Sequence, residues 1–149
     1  MHSIPLTSHI IKNSGEFSKV VLIPIPLHKY RFHYRGFNQA SIFAHILGKQ
    51  LKLQVCPNLL VRTKLTVPQV EVKVREKRLK NMEGVFSVNP KFSSELHGKT
   101  VLHHQFITDF KVAFILVDDV FTTGATMRSA ANVLKRTGAS LVWAVTIAR

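Results

Sequence analysis

Two adjacent carboxylates, Asp118 and Asp119, stand between an apolar run and a hydroxyl-rich turn in the stretch from Ile115 to Met127. Paired acids can accept hydrogen bonds from vicinal sugar hydroxyls or help to hold Mg²⁺. The turn that follows, Thr122, Thr123, Gly124, Ala125 and Thr126, has the composition of an anion cradle. Gly124 lets the backbone turn tightly and approach a ligand closely. Loop amides and a helix N-terminus supply N–H donors and partial positive charge, and a phosphate satisfies both. The threonine hydroxyls can add donors. A sugar phosphate fits this layout, with its hydroxyls at the acidic end and its phosphate at the helix end.

The flanking pattern says which elements hold these groups. Ile115, Leu116 and Val117 suit a buried parallel strand, and Met127, Ala130, Ala131 and Leu134 recur at helical spacing. Open α/β sheets bind ligands where such strands end. The helix should stop near Thr137, with Lys135 and Arg136 suiting its dipole and Gly138 suiting the C′ position.

Upstream, Met1 to Lys19 is weakly patterned, with a turn at Asn13-Ser14-Gly15. Val20 to Ile25 reads as a strand closed by Pro24 and Pro26. Leu27 to Phe37 reads as a basic loop carrying Lys29, Arg31 and Arg35, hinged at Gly36. Asn38 is a plausible N-cap for a helix whose apolar face is Ala40, Phe43, Ala44, Leu47 and Leu51, widened by Ile42 and Ile46. Val55 to Arg62 supplies another strand broken at Pro57. Thr63 to Asn81 is polar and basic and reads as a mobile loop running into a short exposed helix. Gly84 to Val88 reads as a short strand, Asn89 to Gly98 as a loop, and Leu141 to Ala148 as a buried strand. Strands alternating with helices predict an α/β fold, a mostly parallel sheet flanked by helices.

The totals narrow the class. A chain of 149 residues with 46% apolar content suits one domain with a real core, spanning 1–149. No apolar run is long enough for a membrane span, and the N-terminus lacks the pattern of a signal peptide, so a cytoplasmic protein without membrane insertion is expected. The single cysteine, Cys56, excludes an internal disulfide and a cysteine-rich zinc ribbon, and reads as a small buried apolar residue. His103 and His104 have no companion ligands at metal-binding spacing, so no resident metal site is expected. A formal net charge of +13 favours anionic partners without choosing between nucleic acid and phosphorylated small molecules.

Val117-Asp118-Asp119-Val120-Phe121-Thr122-Thr123-Gly124-Ala125-Thr126 resembles the phosphoribosyl pyrophosphate (PRPP) motif of type I phosphoribosyltransferases. Two more signatures narrow the resemblance. One is Ile23-Pro24-Ile25-Pro26-Leu27-His28 followed by Arg35-Gly36-Phe37-Asn38-Gln39-Ala40. The other is Thr66-Val67-Pro68-Gln69 followed by Arg78, Asn81, Gly84 and Phe86. Together with Ala148-Arg149 they are similar to the ComF/GntX family, named for the competence protein ComF, within that superfamily.

The resemblance implies a type I phosphoribosyltransferase-like fold and a PRPP site using Mg²⁺. Asp118 and Asp119 would hold the ribose, Thr122 to Thr126 the 5-phosphate, and Arg35, Gly36, Phe37 and Asn38 the pyrophosphate. A glycine-hinged basic segment before a helix N-terminus is chemically suited to the last role. Thr66, Pro68, Gln69, Arg75 and Arg78 would belong to a flexible loop that closes over PRPP, excluding water and bringing cations to the leaving group. The implied activity is transfer of a phosphoribosyl group to an acceptor the sequence does not name, linked to competence and DNA uptake or to nucleotide salvage. A homodimer is compatible with it.

A rival reading is a non-catalytic module of this fold that binds single-stranded DNA or RNA, although the chain has no stacking pattern like that of an RNA recognition motif. A third is a non-functional remnant, which would fold poorly. Two departures from the family bear on activity: the N-terminal zinc ribbon is missing, and the residues from His103 to Phe110 look like an insertion ahead of the acidic pair.

Overall fold

The structure is a computed structural model, and it describes residues 19–64, 84–96, 99–102, 112–121 and 123–148. Four parallel strands form the main sheet in the order β2-β1-β7-β8. They are β1 (Lys19–Pro24), β2 (Gln54–Val55), β7 (Val112–Val120) and β8 (Leu141–Ala148). Three helices accompany them: α1 (Lys29–Arg35), α2 (Gln39–Leu51) and α3 (Ala125–Arg136). Two antiparallel pairs stand apart from the sheet. One joins β3 (Leu60–Arg62) to β4 (Phe86–Val88), and the other joins β5 (Ser93–Leu96) to β6 (Lys99–Leu102). The parallel sheet and the helices α2 and α3 are as the sequence predicts.

Strand β7 explains the rest of the sheet. Val112 to Val117 are all buried, as an inner parallel strand covered on both faces requires. Alternate side chains enter two cores. Phe114 and Leu116 join Val21 and Ile23 on the face covered by α3 and the β3–β4 pair. Ile115 and Val117 join Leu22 and Ala44 on the face covered by α2. Cys56 is buried in the first of these cores, and burial pushes its thiol pKa up.

Several elements differ from the sequence reading. Leu27 to Phe37 contains the helix α1, which starts at His28, whose Nδ1 accepts from the Tyr30 amide, and stops at the left-handed Gly36. Val55 to Arg62 is split around Cys56 and Pro57, and its halves pair in different sheets. Asn89 to Gly98 holds a 3₁₀ turn at Pro90–Phe92 and then β5. On α2 the buried positions are Ala40, Ala44 and Gly48, whereas Ile42 and Ile46 are about half exposed at 51% and 50%. Strand β8 lies at the sheet edge and is only partly covered, with Ala144, Ile147 and Ala148 exposed. Helix α3 stops at Thr137, followed by Gly138 at positive φ, as predicted.

One set of bonds ties the ends of β1, β7 and α2 together. The Ile25 amide donates to the Val117 carbonyl at 2.8 Å. The Ile25 carbonyl in turn accepts from Asn38 Nδ2 at 2.9 Å. Asn38 Oδ1 accepts from the Ala40 amide at 3.1 Å and caps α2. None of the described helices is long and apolar enough to cross a membrane.

Asn38 therefore carries two separable bonds. Asn38→Asp keeps the cap acceptor and loses the donor to Ile25, whereas Asn38→Ala loses both. Urea denaturation should show Asn38→Ala destabilised by about 1–3 kcal/mol and Asn38→Asp by clearly less. Equal losses would mean that the cap contributes nothing.

Candidate functional site

Asp118 and Asp119 are the last interior residues of β7, next to the point where the sheet's carboxyl edge opens. Successive strand positions face opposite ways. Asp119 continues the Ile115–Val117 side and lines a cleft of about 430 Å³ with Gln39, Ile42, Phe43, Ile46, Val120 and Ile147. Asp118 continues the Phe114–Leu116 side, toward the β3–β4 pair. Its carboxylate curls back to accept from the Asp119 amide at 3.0 Å.

Burial is the largest influence on Asp118 and pushes its pKa up to about 7. The Asp119 amide opposes that rise, the Asp119 carboxyl adds to it, and the Arg62 guanidinium draws it down. The influence of Arg62 on Asp118 is one that reading the chain in order does not reveal. It lies on β3 directly across from Phe86, and its guanidinium sits 5.5 Å from the centre of that ring. Phe86 packs in the same core as Ile25, Leu116 and Ala125, which carries Arg62 toward the carboxyl edge.

Beyond the acids, the chain turns back on itself. The Phe121 amide donates to the Ala148 carbonyl, so the turn leaves the sheet from an anchored point. Gly124 sits at φ +69°, and a Cβ there would come within 2.9 Å of the Phe121 ring. Glycine is therefore favoured by conformation, and a larger residue would also have to push the Phe121 ring aside. Thr123 Oγ1 accepts weakly from the Ala125 amide at 3.4 Å, and Arg128 Nη2 donates to the Thr123 carbonyl at 3.0 Å. Gly124 is the N-cap of α3 and has no side chain with which to cap it. Such an end offers amide donors and the positive pole of the helix to an anion. Thr123 and Gly124 are partly exposed and border a second cleft of about 610 Å³ with Phe121, Met127, Arg128, Ala131 and Ala144.

Of the residues singled out from sequence, the structure gathers Asp118, Asp119, Thr123, Gly124, Ala125 and Thr126 at one end of β7. Asn38 reaches the same edge through Ile25, one strand away. Gly36 and Phe37 form the turn between α1 and α2, and Arg35 is the exposed last residue of α1. Ala125 is buried, so its amide rather than its side chain is available for a ligand. Thr122, the loop residues Thr66, Pro68, Gln69, Arg75 and Arg78, the segment His103 to Phe110, and Arg149 lie outside the described residues. Among the described residues there is no group of three or more histidine, cysteine, aspartate or glutamate side chains placed to hold a metal ion.

Fold and site together define an α/β protein whose parallel sheet carries an acidic pair and a glycine turn at its carboxyl edge. No protein-family model matches the chain. It is similar to "Competence protein F" of Haemophilus influenzae, 31% identical over 117 residues, which is 78% of this chain and 44% of that protein. It is also similar to "Competence protein ComFC" of Bacillus subtilis, 32% identical over 131 residues, 84% of this chain and 45% of that one. A third relative is "DNA utilization protein YhgH" of Escherichia coli K12, 30% identical over 125 residues, 81% and 45% of the two chains. These likenesses support a relation to the ComF family. The aligned stretch spans less than half the length of each relative.

Asp118 makes stability depend on pH with a definite sign. Its folded pKa of about 7 lies above the ordinary 3.8, so below about pH 4 it is protonated in both states and costs nothing. Between these values the unfolded chain ionises first, and stability falls as pH rises. Asp118→Asn should therefore raise Tm, with a larger gain near pH 8 than near pH 4. A gain equal at both pH values would contradict the burial account. Arg62→Gln should raise the Asp118 pKa further, read by carboxyl carbon NMR.

Proposed function

We propose that the carboxyl edge of this sheet binds Mg²⁺·PRPP in a type I phosphoribosyltransferase-like site and transfers the phosphoribosyl group to an acceptor, releasing pyrophosphate. One observation carries this reading. An acidic pair near the end of an inner parallel strand is followed by a turn with a left-handed glycine and a helix N-terminus whose N-cap residue, Gly124, has no side chain to cap it. The spacing suits a molecule with vicinal hydroxyls at one end and a phosphate at the other.

Each group has a job in the transfer. The amides from Thr123 to Thr126 receive the 5-phosphate, and Asp119, with Asp118, accepts hydrogen bonds from the ribose hydroxyls. Mg²⁺ usually needs only one or two carboxylates beside substrate phosphates, and this edge offers two hard oxygen donors, so the ion enters as part of the substrate. In the transfer the bond from C1 to pyrophosphate oxygen breaks, and its electron pair leaves with pyrophosphate. A lone pair of the acceptor forms the new bond to C1, and the acceptor gives up a proton. Arg35 and the amides of Phe37 and Asn38 would stabilise the departing charge, the Gly36 amide being taken by the Phe32 carbonyl. Catalysis of this kind is positioning and electrostatics and needs no covalent nucleophile.

A second reading rests on a different observation. The relatives are named for competence and DNA utilization, and the chain carries a net charge of +13. We infer that it also contacts single-stranded DNA.

Calorimetric titration tests the first reading. Wild-type protein should bind Mg²⁺·PRPP, and Asp119→Ala should weaken binding at least about ten-fold, as the loss of charge-assisted hydrogen bonds implies. Gly124→Ala should weaken binding roughly 5- to 30-fold in a chain that still folds, since left-handed strain costs roughly 1–2 kcal/mol and is confined to the turn. A folded wild type that does not bind, or an Asp119→Ala variant that binds as well, would remove the proposal.

A further inference from the structure

We propose that helix α1 is a stacking surface for single-stranded DNA. This rests on the DNA reading above; the helix adjoins the proposed pyrophosphate site at Arg35 and Phe37, whereas Tyr30 and Tyr34 are not assigned to it. The helix reads Lys29-Tyr-Arg-Phe-His-Tyr-Arg35, alternating cationic or imidazole residues with aromatic ones. Its rings are directed to solvent: Tyr30 is 71% exposed, Phe32 51% and Tyr34 87%, and Phe37 in the next turn is 49% exposed. His33 and Arg35 are exposed as well. No described side chain of this helix is buried.

A seven-residue helix is not held by propensity. This one is fixed by the His28 and Gly36 caps and by the anchored ends of β1 and α2. It therefore does no packing work among the described residues, yet it is aromatic along its whole length. Tyr30 and Tyr34 are one turn apart on one face, about 6 Å along the axis. Two bases of a stretched strand can stack on such a pair, and Phe32 lies on the other side.

Charge selects the occupant. No aspartate or glutamate lies between Glu16 and Glu71, so the helix sits in a long stretch whose only charges are positive. A face destined for another protein surface would lose the hydration of these cations without gaining local partners. A phosphodiester strand supplies a negative charge beside every base. A mixture of cationic groups and exposed rings is what strand binding without strong sequence preference requires. A duplex hides its base faces, so stacking of this kind favours single strands.

The test is fluorescence anisotropy with a labelled oligothymidine of about a dozen nucleotides. Wild-type protein should bind it, and affinity should fall steeply with salt, by a log–log slope of roughly −0.7 per phosphate contacted. The variant Tyr30→Ala/Tyr34→Ala should bind at least about ten-fold more weakly, and Tyr30→Phe/Tyr34→Phe within about three-fold of wild type, because stacking needs the ring. Its circular dichroism and its Mg²⁺·PRPP titration should match wild type. If wild type binds the oligonucleotide and the double alanine variant binds it equally, the helix is not the surface, although the DNA reading survives. If no oligonucleotide binds, both fall. Equal affinity for duplex of the same length, or self-association that the double alanine variant abolishes in the absence of any oligonucleotide binding, would also overturn the proposal, the latter by giving the face to a second copy of the chain.

Discussion

The amide of Ile25 and the carbonyl of Val117 share the hydrogen bond on which the site depends. It extends the β1–β7 ladder past Pro24, the last residue of β1, and brings the chain after β1 alongside the residue before Asp118. From there the Ile25 carbonyl takes Asn38, and Asn38 fixes the start of α2. Three elements distant in sequence are thereby held at one edge. Both partners of the bond are residues with buried side chains, so the bond is shielded from competing water.

The acidic pair gains its chemistry from asymmetry. Asp119 borders an open cleft, whereas Asp118 is forced toward neutrality by burial and drawn back by Arg62. Two neighbouring acids thus meet different surroundings although their sequence context is nearly the same. Such asymmetry is common where groups handle ligands, because a carboxyl near its own pKa can change charge at small cost when a cation or a hydroxyl arrives. Ile147 of β8 and the half-exposed Ile42 and Ile46 extend the same region as an apolar border beside Asp119.

Some of this was legible in the sequence and some was not, for physical reasons. The β7 strand could be read because an inner parallel strand must be apolar at every position, and Val112 to Val117 are. The α2 start could be read because Asn38 is chemically a cap. Helix α1 escaped because it buries nothing described and so has no apolar period. Strand β8 looked buried because composition cannot tell an inner strand from one that, among the described residues, stands at the sheet edge. Arg62 escaped because its effect on Asp118 acts between β3 and β7, which lie far apart in the chain. The separation of the acidic cleft from the turn cleft also depends on which face each strand residue takes, and the motif alone does not say.

The central claim is that the turn after the acids cradles a sugar phosphate. Amide NMR of the folded chain, titrated with ribose 5-phosphate, asks this without requiring any transfer reaction. Resonances of Thr123 to Met127 should shift together and saturably, with Asp118 and Asp119 following, while those of β2 stay in place. Shifts scattered over the basic surface, or none in the Thr123 to Met127 turn, would contradict the account.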